Sequence, residues 1–145
     1  EGSDVHAPAT ITLLAAMLEA QDRDRIARQY ATDYADIFDM GVPRLRNSLD
    51  EGASYEQATE SLYLDVLATI PDSHVIRKYG WPRAEWLCRR ASDLREVSRD
   101  GRAFTLMRSR LAELDEELKY NGINPGTTAD IVVACLFSFW LMPTT

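Results

Sequence analysis

The stretch Phe104-Thr105-Leu106-Met107-Arg108-Ser109-Arg110-Leu111-Ala112-Glu113-Leu114-Asp115-Glu116-Glu117-Leu118 decides the fold class. Phe104, Met107, Leu111, Leu114 and Leu118 recur at steps of three and four, the period that lines up apolar side chains on one face of an α-helix. The acidic run Glu113, Asp115, Glu116 and Glu117 reads as its solvated surface. The helix is expected to start near Gly101 and to stop at Asn121-Gly122.

The same period extends outward in both directions. A first helix is predicted over Thr12 to Ala20, and a second from Asp22 with Ile26, Tyr30, Tyr34, Ile37 and Phe38 on one face, ended by Gly41 and Pro43. A short helix follows over Pro43 to Leu49. Ser54 and Gln57 have capping-box spacing ahead of Leu62, Val66, Leu67 and Ile70, and that helix stops before Pro71. Asp72 to Tyr79 forms a short helix closed by Gly80. Pro82 then opens another that carries Trp86, Leu87, Ala91 and Leu94. The last helix begins after Pro125-Gly126, and its side chains Leu136, Phe137, Phe139, Trp140 and Leu141 are apolar nearly all round, which predicts that it is enclosed by the bundle or by something absent from this chain. Strand-type alternation is nearly absent. The expected fold is all-α, a compact multi-helix bundle, with residues 1–145 as a single helical domain.

Composition excludes several function classes. Asp plus Glu number 23 against 16 Lys plus Arg, and a net charge of -7 opposes general affinity for nucleic acid or anionic lipid. The run Ile131 to Met142 is shorter than the roughly 20 apolar residues that span a bilayer, so no membrane anchor is expected. Cys88 and Cys135 have neither zinc spacing nor disulfide-scaffold density, which fits a reducing cytoplasm. No metal site is read from His6 or His74, because neither has a second ligand at zinc spacing. The chain opens Glu1-Gly2-Ser3 with no secretory leader, and reads as cut from something longer.

Two stretches concentrate chemistry. Asn124-Pro125-Gly126-Thr127-Thr128-Ala129-Asp130 delivers the chain into its most apolar helix. Free N–H groups at a helix start attract phosphate, Gly126 lets a ligand approach the backbone, and Thr127 and Thr128 offer hydroxyls. The same residues also fit an ordinary capping box between Thr127 and Asp130. Pro71-Asp72-Ser73-His74-Val75-Ile76-Arg77-Lys78-Tyr79-Gly80 puts His74 and Lys78 on one helical face and Ser73 and Arg77 on the next, where donors can converge on phosphate. Its plain alternative is a surface helix capped by Asp72 or Ser73 with solvated cations. A third stretch, Asp22 to Tyr30, alternates charge, and Arg25 with Arg28 can either reach an anion together or pair on the surface.

Asn124 to Asp130, followed by an apolar helix with Leu136-Phe137, resembles the C-terminal signature of the triphosphoribosyl-dephospho-CoA synthase family, and the upstream Pro71 to Gly80 is similar to that family's second motif, in the right order. Asp22 to Tyr30 with Ala35-Asp36-Ile37-Phe38 looks like a divergent branch found near tetrahydromethanopterin-linked one-carbon genes. The resemblance covers the family's C-terminal half, and the family's Asn-Thr-His-Lys-Gly motif has no equivalent in this sequence. It implies a nucleotide-dependent transferase in which the 2'-hydroxyl of dephospho-CoA attacks ribose C1' of ATP and adenine leaves. ATP is then substrate, Mg2+ accompanies its triphosphate, and the partner is the missing N-terminal half or another chain. By resemblance, Asn124, Gly126, Thr127, Thr128, Ser73, His74, Arg77 and Lys78 bind the nucleotide, and Asp130 or Asp72 serves as the catalytic carboxylate. A non-catalytic helical assembly module is the alternative.

Overall fold

A computed structural model describes residues 11–98 and 104–142, all helix, turn or loop, with no strand among them. His6 and Gly101 lie outside the described residues, as do the side chains of Phe104 and Met107. The elements are α1 (Leu13–Ala20), α2 (Arg25–Ala31), a π-helical turn (Asp36–Gly41), α3 (Val42–Asp50), α4 (Tyr55–Thr69), α5 (Ser73–Tyr79), α6 (Trp81–Ser98), α7 (Phe104–Tyr120) and α8 (Gly126–Leu141). The all-α bundle read from the apolar spacing is the observed architecture.

Local chemistry sets most boundaries. Ser54 and Gln57 form the expected capping box, with Gln57 N donating to Ser54 Oγ at 3.2 Å and Ser54 N to Gln57 Oε1 at 2.9 Å. α4 ends because Ile70 precedes Pro71 and is held extended, at φ -117° and ψ 111°. At the end of α7, Gly122 takes φ 64°, so that Gly122 N reaches Lys119 O at 3.1 Å and Ile123 N reaches Leu118 O at 2.8 Å. Ile123 is thereby turned into the core.

α4 is the central strut. Leu62 and Val66 pack with Ile37, Leu45, Ile131 and Cys135 from the π-turn, α3 and α8. Leu64 and Leu67 pack on the other side with Val75, Leu87, Ala91 and Leu114 from α5, α6 and α7. Each fully buried Leu contributes about 1.5–3 kcal/mol relative to exposure, so these two clusters hold α5 and α8 against one scaffold.

Two expectations are corrected. The stripe Ile26, Tyr30, Tyr34, Ile37, Phe38 is not one helix: α2 stops at Ala31, and Asp33 and Tyr34 adopt positive φ of 51° and 61° before the π-turn. Only Ile37 of the later residues is buried, while Tyr34 and Phe38 face outward. Gly41 and Pro43 do not break the helical course either: the π-turn runs directly into α3 at Val42, and Gly41 passes so close to α8 that an added Cβ would collide with Cys135 Sγ. The second is enclosure of the final helix by the bundle: the described residues leave Val133, Phe137, Trp140 and Leu141 all more than 60% exposed, and only the alternative of a cover from outside this chain stays open.

Candidate functional site

Three helix N-termini meet at one junction. α5 starts at Asp72, whose Oδ1 accepts from Val75 N at 3.0 Å. Its other oxygen crosses to α8, where Oδ2 accepts from Thr128 N at 2.8 Å and from Thr128 Oγ1 at 2.9 Å. Asp72 is 1% exposed, so its carboxyl group is itself the anion that the α8 N-terminus holds. Beside it, Thr127 Oγ1 accepts from His74 N at 3.2 Å and shares a 2.9 Å hydrogen bond with Ser73 Oγ. Ser73 Oγ in turn accepts from Arg25 N, at the start of α2, at 3.2 Å.

Proton counting gives this cluster a direction. The two hydroxyls hold two protons, and only one lies between them. Ser73 and Thr127 therefore keep one O–H donor to give to something else.

The capping box expected between Thr127 and Asp130 is absent. α8 begins after Pro125 with no side-chain cap, because the Thr127 hydroxyl is taken by α5 and Asp130 is exposed on the second turn. The cations also separate differently from the helical-wheel reading. Ser73 is buried in the junction, while Arg77 is exposed with Nη2 3.4 Å from His74 Nδ1. Lys78 is exposed and lies over the Tyr79 ring, 5.1 Å from its centroid. Gly126 matters for close approach: a Cβ there would sit 3.4 Å from His74 Nδ1, so the missing side chain makes room for the imidazole. Asn124 is exposed on the turn before it. The Tyr79 hydroxyl donates to Gly122 O and ties the end of α5 to that turn.

Arg25 is not free to meet an anion alongside Arg28. Its guanidinium forks onto Asp36, Nε to Oδ2 at 2.7 Å and Nη2 to Oδ1 at 2.8 Å, and Gln29 Nε2 also donates to Oδ2. Burial alone would raise the Asp36 pKa, but hydrogen bonds from Arg25 and Gln29 and the charges of Arg25 and Arg28 hold it below 3.8. Gln29 escaped the sequence reading, and its position four residues after Arg25 was the available signal.

The cysteines play no part in this junction. Burial, assisted by the Asp36 charge, pushes the Cys135 thiol up to about 12, and burial with the Asp72 charge raises Cys88. Neither is a ready nucleophile. Among the described residues no three His, Cys, Asp or Glu side chains gather to hold a metal ion.

Comparison with known proteins gives this geometry a family. The model of the ATP:dephospho-CoA triphosphoribosyl transferase family matches residues 2–144. A relative from Pseudomonas savastanoi pv. phaseolicola, named "Probable 2-(5''-triphosphoribosyl)-3'-dephosphocoenzyme-A synthase", is 29% identical over 107 residues, 74% of this chain and 36% of that protein. The Pseudomonas putida protein of the same name is 31% identical over 101 residues, 70% of this chain and 35% of its own length. One from Photobacterium profundum is 28% identical over 102 residues, 70% of this chain and 32% of its own length. The chain thus spans about a third of the length of these relatives. No solved structure matches. With almost every residue aligned to the family model, the chain belongs to the ATP:dephospho-CoA triphosphoribosyl transferase family.

Proposed function

We propose that this chain is the C-terminal half of a triphosphoribosyl-dephospho-CoA synthase-like transferase, and that the junction of α5 and α8 is its contribution to the nucleotide site. One observation carries the reading: the two motifs, more than 50 residues apart, are locked to each other at their helix starts by Asp72, Ser73, Thr127 and Thr128. In the reaction, the 2'-hydroxyl oxygen of a dephospho-CoA-like acceptor bonds to ribose C1' of ATP. The C1'–N9 bond breaks, its electron pair leaves with adenine, and the acceptor's proton ends on the departing base.

The roles divide by accessibility. Asp72 has both oxygens committed, so it positions α8 against α5 and repels a second anion from the Thr128 N–H. Phosphate therefore sits outside that point, against Gly126, Asn124 and the remaining Ser73/Thr127 hydroxyl proton, with His74 and Arg77 alongside and Lys78 one residue further. Asp130 is the exposed carboxylate of the pair and the better candidate for the catalytic role. Mg2+ fits as an ion carried by the triphosphate, since such ions take one or two carboxylates plus substrate oxygens. Asp130 would hold it, and the ion would neutralise phosphate charge.

A second reading, a helical assembly module, is favoured by the exposed Val133, Phe137, Trp140 and Leu141 on α8 together with Leu13, Leu14 and Leu18 on α1. Under the transferase reading these faces meet the rest of the family fold or a partner chain. Location in the cytoplasm accords with the free cysteines, and no described helix is long and apolar enough to cross a membrane. The deciding experiment is an amide NMR titration of the folded chain with MgATP and, separately, dephospho-CoA. Concerted shifts at Gly126, His74 and Arg77 are expected. Shifts confined to the α1 and α8 apolar faces would overturn the placement.

A further inference from the structure

A second polar site lies between α3, α4 and α6, away from the α5–α8 junction. Arg44 of α3 and Arg95 of α6 both turn toward Asp65 of α4, in a cavity of about 320 Å³ also lined by Ser48 and Ser61. The pairing is loose: Arg44 Nη1 stands 3.6 Å from Asp65 Oδ2, and Arg95 Nη1 stands 3.3 Å from Oδ1. The Arg25–Asp36 fork in the same molecule closes to 2.7 and 2.8 Å. More telling are the donors left over. Arg44 Nη1 and Arg95 Nε are both buried without a hydrogen-bond acceptor. A buried cationic N–H without an acceptor costs stability, and natural structures retain few of them.

The unused donors name the missing chemistry. Arg44 and Arg95 face one carboxylate, Asp65, at the inner end of the cavity, and the exposed Glu51 brings the charged lining to neutrality and disfavours large polyanions, so the unmet N–H groups and not a net charge call for an acceptor. We infer that this cavity is a binding site for a small oxyanion, a phosphate group or a carboxylate, held between Arg44 and Arg95 with a hydroxyl donor from Ser61. Bound there, it ties α3, α4 and α6 together. This inference stands apart from the transferase reading, because none of its residues belongs to the α5–α8 junction.

The test is a side-chain and amide NMR titration of the folded 145-residue chain with inorganic phosphate and with acetate, against sodium chloride at matched ionic strength. Saturable shifts of the Arg44 and Arg95 Nε–Hε signals are expected, with Gly126 and His74 unmoved. Arg95→Gln should weaken binding about tenfold, as loss of a charge-assisted contact does. Asp65→Asn removes the internal competitor, so it should tighten binding and make thermal stability depend on phosphate. A merely structural ion pair predicts lost stability in Asp65→Asn with no recovery by either anion. Phosphate binding without acetate binding assigns a phosphate ligand, and the reverse assigns a carboxylate. Equal shifts with chloride, or unchanged affinity in Arg95→Gln, would overturn the site.

Discussion

Asp72 and Asp65 both hold helices together, yet they do so in opposite ways. Asp72 is surrounded by neutral donors, three short hydrogen bonds that use both oxygens and join α5 to α8. Asp65 is faced by two cations at longer range, with buried guanidinium donors still unused. A carboxylate saturated by backbone and hydroxyl groups fixes geometry, because each donor has one direction and one acceptor. One shared between incompletely used cations leaves donor capacity for another anion. The first region is a rigid platform on which the proposed nucleotide site would stand, and the second is the proposed receptor for a small oxyanion.

The largest effect should come from breaking the saturated side. Asp72→Ala strands Val75 N, Thr128 N and the Thr128 hydroxyl in a buried place, and is expected to cost about 3–5 kcal/mol, as loss of a buried charged partner does. Urea unfolding measures it. Asp65→Ala in the looser region should cost clearly less, and equal losses would erase the contrast. Next in size is Thr127→Val, which keeps volume but removes the acceptor of His74 N. A loss of about 1–2 kcal/mol is expected, and a double-mutant cycle with Ser73→Ala should show the two hydroxyls strongly coupled.

How far this was readable in the sequence follows from where each contact comes from. Helix positions were legible where their signals are local: the Ser54–Gln57 capping box, the Gly80 and Gly122 stops, and the apolar steps of α4 and α6 behave as read. The break at Thr32 to Tyr34 was not, since no glycine marks the positive φ of Asp33 and Tyr34 and the stripe keeps helical spacing across it. Tyr34 N instead finds Gln29 O at 2.7 Å, and a widened turn follows. The Thr127/Asp130 spacing satisfied the capping rule, but acceptors and donors 53 to 56 residues away won the hydroxyls. The sequence pointed to these two motifs, and only the fold shows that they lock each other.

Acid separates the carboxylates further. Asp36 has its folded pKa held below its unfolded value, so the stability it contributes is present above the unfolded pKa and is lost as pH falls through the lowered one. Unfolding free energy should therefore decline on the acid side of 3.8, and Asp36→Asn should flatten that limb while lowering stability at neutral pH. An unchanged acid limb in Asp36→Asn would mean that the Arg25 fork adds nothing to the floor of the junction.

The smallest change in stability belongs to the residue expected to matter most for ligand. Arg77 is exposed and touches only the edge of His74, so Arg77→Ala should leave unfolding within about 0.5 kcal/mol of the parent, as surface substitutions do. Its effect should appear in MgATP affinity, about threefold to tenfold weaker for the loss of one solvated phosphate contact. Phosphate binding at Arg44 and Arg95 should not move. If Arg77→Ala weakens both sites alike, the change is a general loss of positive charge. If it weakens only MgATP, the platform built by Asp72 presents its cation to the nucleotide from outside the junction, where the buried carboxyl leaves room for phosphate.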